Sequence, residues 1–316
     1  MDIAINKSYN SKLLDNIKSK YILKNIFDKL NYVKKLNIIK YNKNLQNKLN
    51  LGLNDYKDYY SKIIIEVYPK NVKEKNCFFF TVRHELKNFC HFYFDDSEKE
   101  IDRNYFTKDE NISKIRIVLD PEFNVFSRLF QYCECIEKIN FINWRRNDIN
   151  SMDNMFYDCK LLNEINFNSF NTDNVEYMND MFCGCYSLKE LNLSKFNTSK
   201  VILMNCMFSY CSSLKKLDLS NFNTENVWTM DNMFCGCSKL KELNISNFSS
   251  KNLVKMRLMF CGCESLRELL VNDNFYIPYD ADYDDLTSNS LPPVTKLVKS
   301  KFKKKMPEND SFCIII

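Results

Sequence analysis

The chain has 316 residues, of which 45% are hydrophobic and 27% are charged, and its formal net charge at pH 7 is +5. This hydrophobic content is typical of a packed protein rather than a disordered one. With four glycines and two histidines, the sequence offers no glycine-rich phosphate loop and little material for histidine-based chemistry. No apolar run reaches the length of a membrane span, and the first residues lack the apolar core of a secretory signal. We therefore expect a protein that is not an enzyme, holds no cofactor and does not bind nucleic acid.

Residues 1–60 are predicted to form a helical N-terminal segment. Apolar residues keep helical spacing at Ile17, Tyr21, Ile22, Ile26, Phe27 and Leu30, and less cleanly at Leu36, Ile39, Tyr41 and Leu45. The string YILKNIFDKLNYVKKLNIIKYNKNLQ loosely resembles an F-box, a helical unit that docks onto ubiquitin-ligase scaffolds. The proline usual near the start of that motif and the tryptophan usual near its end are missing. A helical cap or leader without a docking role is the competing interpretation.

Residues 61–111 are predicted to form a small β-rich leader, because they contain the strand-like runs IIIEVYP, CFFFTV and FCHFYFDD. Both histidines, His84 and His91, lie in this leader. Cys90 and His91 are adjacent, and adjacent residues of a strand face opposite sides. We therefore do not expect these two residues to form a catalytic pair.

Residues 112–275 are dominated by a 26-residue repeat. Each repeat carries a phenylalanine followed three residues later by a cysteine: Phe130 and Cys133, Phe156 and Cys159, Phe182 and Cys185, Phe208 and Cys211, Phe234 and Cys237, and Phe260 and Cys263. Apolar residues follow three, six and eight positions after each cysteine, as in Leu188, Leu191 and Leu193. This L-x-x-L-x-L spacing is typical of the strand of a leucine-rich repeat. A degenerate match at Ile112, Ile115 and Ile117 is predicted to be the N-terminal capping coil.

The remainder of each repeat is equally regular. An aromatic residue follows most of the cysteines (Trp144, Phe170, Phe196, Phe222 and Phe248), and Thr172, Thr198 and Thr224 are placed to cap a short helical turn. Because a fixed period stacks like residues on like residues, we predict an α+β solenoid. It would be a leucine-rich-repeat stack of about six coils with a parallel sheet on one face, preceded by the helical and β-rich segments. Coils about 4.8 Å apart would give a stack on the order of 28 Å long.

The units from Met152 to Leu266, such as MDNMFCGCSKLKELNISNF, resemble the BspA-like leucine-rich-repeat surface proteins of bacteria and parasitic protists. The pattern M-x-x-M-F-x-x-C-x-x-L-x-x-L-x-L-S-x-F is specific, and the resemblance covers about residues 112–275. The resemblance implies a non-enzymatic surface or adhesion-type protein. Protist members of the family similarly combine a missing signal peptide with a prenylation tail. The periodicity by itself predicts only a solenoid.

The chain contains 14 cysteines, for which two interpretations compete. In an oxidising compartment they could pair, whereas in the cytosol they would remain reduced, small and buried. Six equivalent ladder positions define no unique pairing, so we favour reduced structural cysteines. The Cys-x-Cys pairs are Cys133/Cys135, Cys183/Cys185, Cys235/Cys237 and Cys261/Cys263. Their spacing differs from that of zinc sites, so no metal is expected.

Recognition of a protein partner is expected at the variable, solvent-facing positions of the repeat. The strand face carries a polar row at Glu164, Glu190, Lys216, Glu242 and Glu268, without aromatic anchors. The edge formed by the predicted helical turn carries varied residues, namely Tyr177, Ile202, Leu203, Trp228 and Val254. Because Trp and Tyr are enriched among binding hot spots, this edge is the predicted partner-binding site. Packing of these side chains between coils is the alternative.

Residues 276–316 are predicted to be an acidic linker and a lipid-anchored tail. The chain ends in Cys-Ile-Ile-Ile, which fits the C-a-a-X signal for prenylation of Cys313, and the terminal isoleucine favours geranylgeranyl over farnesyl. Upstream lie Lys296, Lys299, Lys301, Lys303, Lys304 and Lys305, so that residues 296–316 carry +4 of the chain's formal +5. One lipid chain binds membranes only marginally, and a polybasic patch adds the second signal.

These features together predict a non-enzymatic interaction protein that a prenyltransferase modifies and that binds an anionic plasma membrane through its tail. The runner-up is a cytosolic F-box-like ubiquitin-ligase adaptor that uses the repeats as its substrate receptor. A surface adhesion protein without a dedicated partner is a third option. Prenylation takes place in the cytosol and favours the inner leaflet, whereas the family resemblance favours the cell surface.

Overall fold

The structure is a computed structural model that describes residues 42–49, 61–70, 76–144, 146–167, 169–272 and 275, and the backbone of 296–297. The chain divides into two compact units, Met1–Ser61 and Lys62–Ile316. Among the described residues, no helix combines the length and the apolar character needed to cross a bilayer.

Helix α1 (Lys43–Leu49) is the described part of the first unit's predicted helical segment. Its start is fixed by Asn42, whose side-chain oxygen accepts a hydrogen bond from the backbone N–H of Leu45 at 3.0 Å. Leu45 itself is buried. The other residues of the predicted segment, 1–41 and 50–60, lie outside the described part of the chain.

The second unit begins with a mixed β-sheet. The strands of the leader and of the first two repeats are β1 (Ile63–Pro69), β2 (Cys77–Phe78), β3 (Cys90–Phe94), β4 (Glu100–Ile101), β5 (Tyr105–Phe106), β6 (Ile115–Leu119), β7 (Ile136–Asn143) and β8 (Glu164–Asn166), with a 3₁₀ helix at His84–Phe89. The main sheet has the order β4-β3-β6-β1-β7-β8, and β2 pairs with β5 separately. Buried and partly exposed residues alternate along β1 and β3, as expected of strands that cover a core with one face.

The segment predicted as a capping coil, which contains Ile115 and Ile117, is instead an antiparallel strand, β6, between β1 and β3. β6 pairs antiparallel with both β1 and β3, with Ile117 opposite Ile65 in β1. The strand beside β7 is β1, also antiparallel, with Val67 opposite Ile139. The prediction was wrong because a half-buried antiparallel strand shows the same two-residue alternation as the strand of a repeat. The first repeat is therefore covered by the leader's antiparallel sheet and not by a further parallel coil.

The 26-residue repeats pair with one another in parallel. β7 pairs with β8, while β9 (Lys216–Asp218), β10 (Glu242–Ile245) and β11 (Glu268–Val271) form a second sheet that β12 (Lys296–Leu297) extends. Pairing joins like residues of successive repeats, such as Leu217 with Leu243 and Leu243 with Leu269. Residues 190–192, the equivalent position of the third repeat, are not a strand, and the parallel pairing is therefore divided between two sheets.

A second hydrogen-bond ladder runs through the Met-Phe segment of the repeats and crosses this interruption. The backbone N–H of each ladder phenylalanine from Phe130 to Phe234 donates to a methionine carbonyl of the next repeat, as Phe182 does to Met207 at 2.9 Å. The ladder phenylalanine rings stack with centroids 5.4 to 5.8 Å apart. These rings, together with the ladder cysteines and methionines, are buried and form the core of the repeat region.

In the described part of the repeats, the predicted helical turns are single hydrogen-bonded turns and not helices. Thr172, Thr198 and Thr224 are buried, and their hydroxyls bond to the next repeat. Thr198, for example, donates to the carbonyl of Asn223 and accepts the N–H of the same residue, both at 2.8 Å. Each segment makes one turn within its own repeat, as when the backbone N–H of Val201 donates to the carbonyl of Thr198 at 3.0 Å. The next N–H groups bond to neighbouring repeats, as that of Ile202 does to Glu176, so no helix continues. The described fold is consequently mostly β and turns with few helices, where an α+β fold was predicted.

Candidate interaction surfaces

The five residues predicted to bind a partner lie in two neighbouring columns of the repeat. In one column, the backbone N–H of Trp228 donates to the carbonyl of Ile202 at 2.9 Å, and that of Val254 donates to Trp228 at 2.8 Å. In the next column, Tyr177 and Leu203 form a parallel bridge. We call these five residues the apolar ridge. Their relative positions are fixed by backbone bonds between repeats.

Side chains of the apolar ridge face outward at its far end. Trp228 is 57% exposed and Val254 is 53% exposed, while the other three ridge residues are partly buried. By contrast, Trp144, the chain's other tryptophan, is fully buried. The alternative that Trp228 packs between coils is therefore wrong. Binding of a partner at the apolar ridge stays a prediction.

The strand face carries charges that neutralise one another between repeats. The Nζ atom of Lys138 lies 2.6 Å from Glu164, and that of Lys216 lies 2.8 Å from Glu242. Such exposed pairs add little to the stability of the fold. The strand face therefore presents charged side chains, two of its glutamates in ion pairs, whereas the apolar ridge presents apolar area that no described residue covers completely. We regard the apolar ridge as the stronger candidate for a binding surface.

The ladder cysteines are packing groups. Cys133, Cys159, Cys185, Cys211, Cys237 and Cys263 are all free and buried, which confirms the prediction of reduced structural cysteines at these positions. Five of them donate an S–H to a phenylalanine carbonyl of the preceding repeat at 3.0 to 3.2 Å. Burial raises the pKa of the ladder thiols well above the ordinary value, to about 12 for Cys263. The thiolate needed by a nucleophile or a metal ligand is therefore disfavoured.

One cysteine pair departs from the expectation of reduced cysteines. Cys77 in β2 and Cys135 in the first repeat form a disulfide, with their Cα atoms 5.9 Å apart and a separation of 58 positions in the sequence. The Cys-x-Cys spacing singled out Cys135, but its partner lies in the non-periodic leader, where no repeat pattern points to it. Among the described residues, no group of three or more His, Cys, Asp or Glu is arranged to hold a metal ion.

A charged cluster surrounds His91 at the surface of the leader. Its Nδ1 lies 2.9 Å from Glu100 and its Nε2 lies 3.0 Å from Asp120, which also lies 3.3 Å from the Nζ of Lys62. Burial lowers the pKa of His91, but the hydrogen bonds to Asp120 and Glu100 outweigh it and raise the pKa above its ordinary value. A ring with both nitrogens bonded to carboxylates holds its proton and is a poor general base. The neighbouring Cys90 bonds instead to the carbonyl of Leu86 at 3.4 Å, and burial raises the pKa of its thiol to about 12.

The predicted lipid anchor lies outside the described residues, and this applies to Cys313 and to Lys299, Lys301, Lys303, Lys304 and Lys305. Lys296 is the exception, because its backbone belongs to β12. There it pairs in parallel with Glu268, 28 residues earlier and close to the period of the repeat. The lysine-rich segment therefore begins at a strand that is hydrogen-bonded to the last repeat.

Two features of the repeat were not found by reasoning from the sequence. Asn179 and Asn205 form a side-chain ladder, in which Asn205 Nδ2 donates to Asn179 Oδ1 at 3.1 Å. Their 26-residue separation was the available signal. Tyr132 and Tyr210, each one residue before a ladder cysteine, are 57% and 50% exposed. No periodicity marks these tyrosines, because the two repeats between them carry Asp158 and Gly184 at that position.

The parallel pairing, the stacked core and the apolar ridge define a β-rich repeat protein. Its residues 124–218 and 189–278 match the family described as "Mycoplasma protein of unknown function, DUF285". The two matches overlap and together span just under half of the chain. They support the BspA-like leucine-rich-repeat type that the sequence motif indicates.

No curated protein matches the chain. A solved structure, described as a leucine-rich repeat protein from Bacteroides ovatus, is 17% identical. The match covers 50% of this chain and 66% of that one, just under two thirds of its length, with a TM-score of 0.19. A likeness at that score carries no structural argument.

Proposed function

We propose that the protein is a non-enzymatic, BspA-like leucine-rich-repeat interaction protein whose repeats form a solenoid of six coils. The observation that carries this proposal is the apolar ridge. The large apolar side chains of the repeat core are buried, yet Trp228 and Val254 stand exposed in adjacent repeats of a hydrogen-bonded framework. Exposed aromatic side chains on a rigid scaffold are typical of a binding surface rather than of a catalytic one.

We further propose that the protein is anchored to the plasma membrane by prenylation of Cys313, assisted by the lysines of the tail. The support is the C-terminal Cys-Ile-Ile-Ile and the concentration of positive charge just before it. The disulfide bears on which side of the membrane the protein occupies, because disulfides persist in oxidising compartments and are rare in the cytosol. It favours the cell surface, whereas a prenyl group added in the cytosol favours the inner leaflet.

The anchor is tested by mass spectrometry of the C-terminal peptide of the native protein. The expected peptide carries an isoprenoid on Cys313, and Cys313→Ser should move the protein from the membrane fraction to the soluble fraction. An unmodified native peptide would refute the anchor. Differential alkylation of Cys77 and Cys135 in intact cells then reports whether this pair is oxidised, and so which side of the membrane the repeats occupy.

The interaction role is tested by affinity capture with the full chain and with Trp228→Ala. A partner lost with this variant, at unchanged thermal stability, supports binding at the apolar ridge. Capture of a ubiquitin-ligase scaffold through the N-terminal segment would instead support the F-box-like adaptor, which no observation on the described residues favours.

A further inference from the structure

We propose that the apolar ridge contacts the lipid surface itself, so that the repeats lie against an anionic membrane with Trp228 and Val254 in its headgroup region. This inference rests on the proposed function, because the prenylated tail brings the ridge to the bilayer, and it names the partner of the ridge as lipid. Tryptophan combines a large apolar ring with one polar N–H and is enriched where one end of a side chain is wet and the other apolar.

The end of the apolar ridge at Val254 is positively charged, as contact with an anionic surface requires. In the last repeat, Lys251, Lys255 and Arg257 are all exposed around Val254, and residues 249–260 contain no acidic side chain. None of these three cations forms an ion pair with a described residue. Long cationic side chains beside apolar ones suit a membrane interface, since the cations meet anionic headgroups as the apolar groups enter.

The other end of the apolar ridge has the opposite character. Around Tyr177 the repeat carries Asp173 and Glu176 and no basic residue between 171 and 180. Trp228 also has acidic neighbours in its own repeat, Glu225 and Asp231, so the attraction of an anionic surface is confined to the last repeat, where the exposed Lys255 follows Val254. The geometry points to Trp228 and Val254 as the inserting residues, with Tyr177 and its acidic neighbours held away from the lipid.

The position of the tail agrees with this orientation. Strand β12 pairs with β11 of the last repeat, so the lysine-rich segment starts at the repeat that carries the three cations. From Leu297 to Cys313 there are 16 residues. At about 3.3–3.6 Å per residue, this length can reach roughly 50 Å, more than the full length expected of the stack. The lipid on Cys313 and the cationic end of the ridge can therefore meet the same bilayer.

Fluorescence of the unprenylated full chain provides a direct test, because Trp144 is buried and Trp228 is exposed. The probes are phosphatidylcholine vesicles with and without phosphatidylserine, each prepared with and without brominated acyl chains. We expect a blue shift of the emission and quenching by brominated lipid only when phosphatidylserine is present. Trp228→Phe leaves Trp144 as the one tryptophan and should abolish the quenching of tryptophan emission while the protein still binds, which assigns the signal to the ridge.

Binding measurements on the same vesicles separate the ridge from the tail. The double variant Trp228→Gln, Val254→Gln should weaken binding roughly tenfold or more, since burial of one large apolar side chain is worth at least that factor. Tyr132→Ala, which removes an equally exposed aromatic at a different position of the repeat, is the matched control and should bind as the parent does. The charge-reversing variant Lys251→Glu, Lys255→Glu, Arg257→Glu should weaken binding further and make binding less dependent on salt concentration.

The possible outcomes distinguish the lipid contact of the ridge from the prenyl anchor and from protein binding at the ridge. Binding that depends only on the tail lysines, without quenching of Trp228, overturns the ridge contact and leaves the prenyl anchor standing. Quenching of Trp228 with an unmodified native C-terminus supports the ridge contact and refutes the anchor. A captured protein that needs Trp228, in the absence of quenching, makes the ridge a protein-binding site and overturns the lipid assignment.

Discussion

At the scale of the residue, the role of the periodic cysteines follows from the packing and hydrogen bonding of their thiols. Cys211 is fully buried and donates its S–H to the carbonyl of Phe182 at 3.2 Å. The sequence predicts the column, because a fixed period stacks like on like, but it contains no sign of the acceptor. That acceptor is a backbone carbonyl of the preceding repeat, and its position depends on how two coils pack.

Cys211→Ala should lower the free energy of unfolding by about 1–2 kcal/mol, because it removes this hydrogen bond and leaves a small cavity. Urea unfolding of the full chain measures the loss. Cys261→Ala is the control, since Cys261 is only partly buried, and it should cost less than about 0.5 kcal/mol. Equal losses in the two variants would contradict a specific packing role for the ladder position. Native Cys211 should also resist alkylation, because burial raises the pKa of its thiol.

The charged cluster at His91 predicts a pH dependence of stability. Because the folded protein holds the pKa of His91 above its ordinary value, the imidazolium stabilises the fold at pH values below the unfolded pKa of about 6.5. That stabilisation is lost as the pH rises through the folded pKa. Urea midpoints measured across this range should fall with rising pH in the parent chain.

His91→Gln should remove this part of the pH dependence, whereas the exposed His84→Gln should retain it. The two variants differ in their surroundings, since His91 is bonded to Asp120 and Glu100. A His91→Gln protein with the slope of the parent would show that the carboxylate contacts of His91 contribute nothing to stability in this range.

At the scale of the element, the Met-Phe turn requires left-handed backbone at two positions of each repeat, five residues and one residue before the ladder cysteine. The first position is occupied by residues as different as Arg128, Asn154 and Leu258, all with positive φ. The second is Gly236 in the fifth repeat, with φ +73°, and Tyr210 in the fourth, with φ +57°. Because these two positions hold such varied residues, the sequence does not reveal the turn. Three of the chain's four glycines nevertheless occupy the second position.

Gly236→Ala should be destabilising for two separable reasons. A Cβ atom at Gly236 would lie 2.6 Å from Cδ1 of Tyr210, and the backbone would remain in the left-handed region that side chains disfavour. We expect a loss of roughly 1–2 kcal/mol in the free energy of unfolding. In the Tyr210→Ala background the steric part disappears and the loss should fall by about half. If Tyr210→Ala rescues Gly236→Ala completely, the backbone strain is absent.

The same scale shows what could be predicted from the sequence and what could not. The strands after five of the six ladder cysteines follow from alternation, and the burial of Leu217 and Leu243 follows from their common column. The turn does not continue into a helix because the hydroxyl of Thr198 bonds to the next repeat and the N–H of Ile202 bonds to the preceding one. Both bonds depend on neighbours about one period away in the sequence. The repeat pattern groups the residues of the apolar ridge, but the exposure of Trp228 could be read only from the packed structure, and binding there stays a prediction.

At the scale of the whole molecule, hydrogen bonds between successive repeats hold the repeat region together, and the leader covers its first repeat. β1 covers the first repeat strand, and Thr81 bonds the carbonyls of Leu129 and Gln131 at that end through its N–H and its hydroxyl. Because the described repeat strands pair with adjacent strands of the stack, stability in this region should be approximately a sum of repeat and interface contributions. The number of repeats is then adjustable, provided that the period is kept.

Deletion of residues 186–211 removes 26 residues and joins Cys185 to Ser212, the neighbour that Cys211 has in the parent chain. It also removes residues 190–192, where the parallel pairing is interrupted, and leaves β8 and β9 one period apart. We expect a cooperatively folded protein whose urea m-value falls by roughly a tenth, in proportion to the shortened chain. Deletion of 188–211, which is two residues shorter, is the control. It shifts every later column by two positions, so its unfolding should lose cooperativity. Equal behaviour of the two deletions would refute a stack built on a strict 26-residue register.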